Sequence, residues 1–132
     1  MLRATEKIYR YFADKLLLKL KEGIGMYDDL QFPLEVLKGK HRPVILLYLC
    51  HKGTSHFSQL QQALGLSGKV LAEQLRHLEM HGMLMRISHP HSPAVGYSVT
   101  ELGLSFLPVL EAILAWGQTR SINARFPPPE HA

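Results

Sequence analysis

The stretch SQLQQALGLSGKVLAEQLRHLEMHG (58–82) decides how this chain is read. It holds two helical patterns with only a few residues between them. Ser58 and Gln61 stand in the S-x-x-Q relation of a capping box, Leu60, Ala63 and Leu64 make a short inward side, and Gly65 stops it. Leu66 follows, and Ser67 is placed to cap a second helix over about 68–81 that ends at Gly82. Two helices joined by so short a glycine-containing turn form a helix-turn-helix.

The second helix has two unlike sides. Leu71, Leu75 and Leu78 recur at i, i+4 and i+7 and belong to the core. Lys69, Glu73, Arg76 and Met80 lie opposite, with Ala72 at the edge of that face. With Ser67 at its start, this side can lie in the major groove of DNA, its first residues meeting base edges and its cap and cations meeting phosphates. The plainer alternative is a solvated helix face. His77 and His81 sit one turn apart, but this is not the H-E-x-x-H arrangement of zinc proteases. Glu79 comes two places after His77, on another side of the helix, and no spacing identifies a third ligand. Solvated helix-end histidines are the expectation, with His81 near the negative end of the helix dipole, and no metal is assigned.

Downstream, MLMRIS (83–88) alternates as a strand, HPHSPA (89–94) reads as a loop, and VGYSVT (95–100) as the returning strand. Such a hairpin is what makes the winged version of the motif, the alternative being a plain hairpin with polar tips. Wings reach a neighbouring groove or backbone, where a cation helps. No Lys or Arg stands between Ile87 and Thr119, so His89 and His91 are the wing candidates. Thr100 can cap a last helix running to about Trp116, which Pro108 should kink or divide.

Upstream, Ile8, Phe12, Leu16 and Leu20 recur every four residues in a helix over about 5–21, with Thr5 as its cap. IGMYDD (24–29) reads as a linker and PLEVL (33–37) as one short helix starting at Pro33. Pro43 opens the apolar helix VILLYLC, which stops near Gly53. The expected fold is mainly α with a small two-stranded antiparallel β wing: a winged helix-turn-helix with added N- and C-terminal dimerisation helices. It divides into an N-terminal helix and linker as a dimerisation arm (1–30), the DNA-binding core (31–100), a C-terminal dimerisation helix (101–120) and a flexible tail (121–132).

Composition bounds the function. The 132 residues make one ordinary domain of globular composition, with 46% hydrophobic and 20% charged residues. Neither a membrane-length apolar run nor a signal-peptide core is present, and the single Cys50 cannot form an internal disulfide, so a cytoplasmic address is expected. The net charge of +4 is unevenly spread. Six basic and six acidic residues balance within 1–37, whereas 38–86 has a surplus of five positive charges. A basic middle suits a polyanion, although a mixed surface is the bland reading. Lys40, Arg42 and Lys52 are the further candidates for phosphate contacts. Enzyme signatures fail: Gly68-Lys69 is followed by Val70 with Ala63 at the first glycine position of a phosphate loop, G-x-S-x-G is absent, and Cys50 lies in the apolar helix. Neither catalytic residues nor a cofactor are assigned.

From Phe32 to Gly117 the chain resembles the HxlR-type winged helix-turn-helix transcription regulators. The matching text is PLEVLKGK, HFSQLQQALGLSGKVLAEQLRHLEMHGMLMR and VGYSVTELGLSFLPVLEAILAWG. The resemblance implies a cytoplasmic homodimer that binds an operator as repressor or activator, with Ser67, Lys69 and Arg76 as contacts of the recognition helix and terminal helices building the dimer. Several positions depart from the family pattern. Phe32 replaces a cysteine that some members use as a redox or electrophile sensor, and His41 replaces a tryptophan. Ala94 stands where the wing commonly has arginine, Gly96 replaces a glutamate, and the wing is about one residue short. These losses imply weaker minor-groove anchoring or a different operator.

The leading expectation is sequence-specific regulation at double-stranded DNA, in which Arg76 or Lys69 reads guanine and Glu73 accepts from cytosine. The dimer would use Ile8, Phe12, Leu16 and Leu20 with Phe106, Leu110, Ile113 and Leu114, and would favour a palindromic site with half-sites roughly 34 Å apart. One alternative is a winged helix that binds only protein, suggested by Glu73 on the outward face and the cation-free wing. Another is a small-molecule effector pocket among Tyr9, Tyr11, Tyr27, Tyr48 and Trp116 in a protein that also binds DNA.

Overall fold

The computed structural model describes residues 4–22 and 25–122. The backbone parts into two compact units between Lys38 and Gly39. The first contains helix α1 (Ala4–Glu22) and helix α2 (Met26–Val36). α1 begins by Ala4, one residue before Thr5, which therefore lies within the helix and is not its cap. Residues 26–29 of the expected linker 24–29 are helix, and Ile24 lies outside the described residues. Gly25, at φ 72°, takes the left-handed turn that opens α2, and Asp28 and Asp29 follow in the first turn, where the helix dipole favours negative charge. Pro33 lies inside α2 and does not begin a helix of its own. The break between units accordingly falls after α2, beyond residue 30.

The second unit is built on α3 (His41–Lys52), β1 (Ser55–His56), α4 (Phe57–Leu64), α5 (Gly68–Met80), β2 (Leu84–His89), β3 (Ser92–Val99), α6 (Glu101–Ser105) and α7 (Leu107–Ile122). Ile45, Leu46 and Leu49 of α3, Leu60 of α4, and Leu71, Leu75 and Leu78 of α5 are buried with Met83, Leu84 and Leu110. Each such side chain contributes roughly 2 kcal/mol by leaving water. α3 packs against α5, α7 and β3, so it is the central strut behind the turn motif. Ala63 is exposed and Leu64 half-buried, so Leu60 alone is the deep anchor of the shorter α4.

The capping of α4 sits two residues earlier than its sequence suggests. His56 is the cap residue in extended conformation, and its N–H donates to Gln59 Oε1 at 2.8 Å, leaving Ser58 and Gln61 inside the helix. His56 is held extended because it is a strand residue. β1 pairs with β3 through Ser55–Tyr97 and His56–Gly96, so the sheet has three antiparallel strands in the order β1-β3-β2, where two were expected. The hairpin is also tighter than an 89–94 loop. β2 and β3 stay paired to His89–Ser92, with Pro90 and His91 at the turn. The register shifts after Ser88–Val95, leaving Pro93 and Ala94 as extra residues on β3. A bulge suits Pro93, which has no N–H for the ladder.

Thr100 closes the wing onto the last helices. Its hydroxyl donates to Gly82 O at 2.5 Å and accepts from Gly103 N–H at 3.0 Å, capping α6. Gly103 packs so closely on the Met83 carbonyl and Val99 that a methyl group has no room there. The chain turns at Phe106, and Pro108 then occupies the first turn of α7, where its missing N–H costs nothing. α7 runs to Ile122, so residues 121–122 are helical and the rest of the expected tail lies outside the described residues.

Candidate nucleic-acid interface

Gly65 (φ 64°) ends α4 in the left-handed conformation, and its N–H donates to Gln61 O at 2.9 Å. Ser67 is extended, and its Oγ accepts the Val70 N–H at 3.2 Å, satisfying one of the open donors at the start of α5. Gly65, Leu66 and Ser67 thus form the whole turn. At the other end, Gly82 (φ 75°) lets its N–H reach Glu79 O at 3.0 Å and Met83 N–H reach Leu78 O at 2.9 Å, sending the chain directly into β2.

Ser67, Lys69, Ala72, Glu73 and Arg76 are all exposed, while Leu71, Leu75 and Leu78 are buried. Met80 extends the exposed face. Lys69, Ala72, Glu73 and Arg76 line one open groove, whose remaining wall is Glu79, Arg86 and Tyr97. The groove therefore carries three cations and two carboxylates. Tyr97 is only 8% exposed, and burial pushes its phenol above the ordinary value. Glu79 pushes the same way and Arg86 opposes it. The phenol therefore keeps its proton and can donate a hydrogen bond.

Sequence reasoning did not place Glu79, Arg86 or Tyr97 at this face. Arg86 counted only toward the basic surplus of the middle segment. The available signal was its position as the third residue of a strand that follows α5 after the three-residue turn His81-Gly82-Met83.

The other candidates scatter. Lys40 is exposed at the start of α3, beside a separate hollow that His41, Val44, Leu64 and Leu66 also line. Lys52 is exposed at the end of α3. His89 and His91 are exposed at the wing turn, and the His89 ring stands 6.2 Å from that of His56. Arg42 contradicts its expected role as a surface cation. It is 5% exposed, and its Nε donates to Gln74 Oε1 at 3.0 Å, so it is buried behind α5.

Of the expected dimer residues, Ile8, Phe12, Leu16, Leu20, Ile113 and Leu114 are exposed. Phe106 is half-buried. Leu110 is 1% exposed within the chain's own core and cannot face a partner. Tyr9, Tyr11, Tyr27 and Trp116, read as lining an effector pocket, are exposed, and only Tyr48 is half-buried.

His81 Nδ1 lies 2.6 Å from His77 O, so that nitrogen donates to the backbone at the helix end. Among the described residues no three His, Cys, Asp or Glu side chains come together in a metal-binding group. No helix among them is long and apolar enough to cross a membrane. Cys50 is half-buried on α3, and burial first and Glu111 second raise its thiol above the ordinary value.

Residues 36–124 match the family model described as HxlR-like helix-turn-helix. The HTH-type transcriptional regulator YtfH of Escherichia coli (strain K12) is 39% identical over 102 residues, covering 74% of this chain and 80% of that protein. The HTH-type transcriptional regulator YtcD of Bacillus subtilis (strain 168) is 38% identical over 86 residues, covering 64% of this chain and 68% of the relative. A crystal structure of a YtcD regulator superposes with a TM-score of 0.64 at 34% identity, over 76% of this chain and 99% of that one. The redox regulator HypR in its reduced form gives a TM-score of 0.64 at 27% identity, over 70% and 93% of the two chains.

Proposed function

The chain belongs to the HxlR-like helix-turn-helix family of transcriptional regulators, which are not enzymes, and on that premise we propose that it acts as a homodimer on a palindromic DNA operator. In this reading α5 enters the major groove. Ser67, Lys69, Ala72, Glu73 and Arg76 face the duplex, and the second copy sets another α5 roughly 34 Å away in the next half-site. The observation that carries the reading is the division of one helix into two faces. Three leucines lock α5 into the core, and the opposite side, with its cap, is left open to solvent.

Phosphates would be met by Lys69, Lys40 and Lys52, which makes affinity salt-dependent. Arg76 or Lys69 would read guanine and Glu73 would accept from cytosine. Selection of duplexes from a random library, followed by titration of Arg76→Ala, tests the proposal. The expected results are an enriched palindrome and a loss of about 1–3 kcal/mol in the variant. Undiminished affinity and salt slope in Arg76→Ala would remove that residue from the interface.

A second reading is a winged helix that binds only protein. The specific observation in its favour is that Glu73 and Glu79 share the groove with the cations, while the wing beyond Arg86 holds no lysine or arginine. Recovery of a protein partner with no enriched duplex would select it. HypR is a redox regulator, but redox control forms no part of our proposal. Cys50 is this chain's one cysteine, and its surroundings disfavour the thiolate that oxidants attack.

A further inference from the structure

We propose that Arg86, on the first wing strand, is the wing-side phosphate contact of this protein and takes over the anchoring that an arginine at the wing tip would supply. The inference rests on the DNA-binding reading of α5. Arg86 is exposed and pairs across the sheet with Tyr97, whose burial fixes the floor beneath it. Its side chain borders two adjacent hollows. One is the groove shared with Lys69 and Arg76 of α5, and the other is lined by His56 and Ser58 near the start of α4 and by Pro93 and Ala94 of the wing. Arg86 therefore stands on the rim between the recognition helix and the wing. When a helix occupies a major groove, the sugar-phosphate strand bordering that groove runs along its flank, and here that flank is this rim.

The place of Arg86 on the rim, at the flank of α5, selects a phosphate over a base edge. Arg86 carries a permanent charge and a fork of N–H donors suited to phosphate oxygens. Its strand and the one beside it leave Tyr97 as a neutral donor next to it. Farther out, no lysine or arginine occurs from Ile87 to Thr119, so Arg86 is the last cation before the wing turn. The anchor is thereby moved from the wing turn to a paired strand, where its position relative to α5 is fixed by the sheet.

A phosphate contact carries no sequence information, so a mixed-sequence duplex of about three helical turns is sufficient as the probe. Affinity is measured across a salt series for the wild-type chain, Arg86→Ala, Arg86→Lys and Arg76→Ala, with circular dichroism melting as the fold check. Arg86→Ala should bind about tenfold more weakly at low salt, and its log-log salt slope should fall by about 1. Arg86→Lys should keep the wild-type slope. Arg86→Gln replaces the alanine variant if that one does not fold. Unchanged affinity and slope in Arg86→Ala, with Arg76→Ala still weakened, overturns this inference and leaves the reading of α5 standing. Weaker binding with an unchanged slope also overturns it, because the lost interaction is then not with a phosphate. No duplex binding by the wild-type chain overturns both readings.

Discussion

Arg42 Nε donates to Gln74 Oε1 over 3.0 Å, joining the first turn of α3 to the middle of α5. The pair ties the central strut to the helix read as contacting DNA. Gln74→Ala would remove the acceptor of the buried Arg42 Nε–H, at a cost of about 1–3 kcal/mol in urea unfolding. Arg42→Met keeps much of the buried stem and removes the donor. The double variant should then be less destabilised than the two single variants together. Strict additivity would mean that the two side chains do not hold each other.

Ser67 separates stability from recognition. Its hydroxyl caps α5 by accepting from Val70 N–H, so Ser67→Ala should cost about 1 kcal/mol and lower the melting temperature by several degrees. Ser67→Asp keeps a capping oxygen and adds a negative charge where the DNA reading places a phosphate. It should melt close to the wild type yet bind duplex more weakly. Full duplex affinity in Ser67→Asp would show that nothing anionic approaches the start of α5.

How much of this was legible from the residues depends on how local each signal is. α5 was readable because three leucines repeat with the helical period between a serine cap and a glycine stop. Its outward face followed from the same geometry. β1 was not readable: Ser55 and His56 are too few for any alternation, and they become a strand only by pairing with β3. α2 was obscured because Pro33 looks like the start of a helix, while the actual start is Gly25 in a left-handed turn. Arg42 reads as a surface cation among other basic residues. Its burial depends on Gln74, thirty-two residues away. Arg86 and Tyr97 join the groove only when the hairpin folds back beside α5, which no spacing along the chain records. Leu110 reads as a dimer residue because the buried and exposed faces of α7 are alike in apolar character.

Cys50 should be a slow nucleophile. Burial raises its thiol first, and the neighbouring Glu111 carboxylate raises it further. The charged form is therefore scarcer than in an ordinary cysteine at any neutral or mildly alkaline pH, and alkylation tracks the thiolate. Iodoacetamide labelling of the folded chain should be slower than labelling in urea, with the gap narrowing as pH rises through and above the usual thiol range. Glu111→Gln removes the smaller cause and should speed the folded-state reaction modestly. Labelling of the native chain as fast as that of the unfolded one at pH 7 would contradict this account. Glu111 also lies 3.9 Å from His51 Nε2, but both side chains are more than half exposed, so loss of that pair should have little effect on stability.

The homodimer makes the most direct claim about the two terminal helices. α1 exposes Ile8, Phe12, Leu16 and Leu20, and α7 exposes Ile113 and Leu114, with Phe12 at 62% and Ile113 at 45%. So much large apolar surface on helices is the mark of an interaction face. A second copy is the occupant we propose, because two recognition helices one duplex turn apart need a two-fold axis, and a stable interface needs about 1,200–2,000 Å² of buried surface. Phe12→Glu and the pair Ile113→Glu/Leu114→Glu place charges on those faces without disturbing a side chain buried within the chain. Each should convert a sedimenting dimer to a folded monomer at micromolar concentration. Each should also abolish tight binding to a two-half-site duplex while leaving the weak affinity for a single half-site. Leu110→Glu, by contrast, should unfold the chain, since Leu110 belongs to its own core. A wild-type chain that sediments strictly as a monomer, or variants that still dimerise, would show that these faces serve another partner.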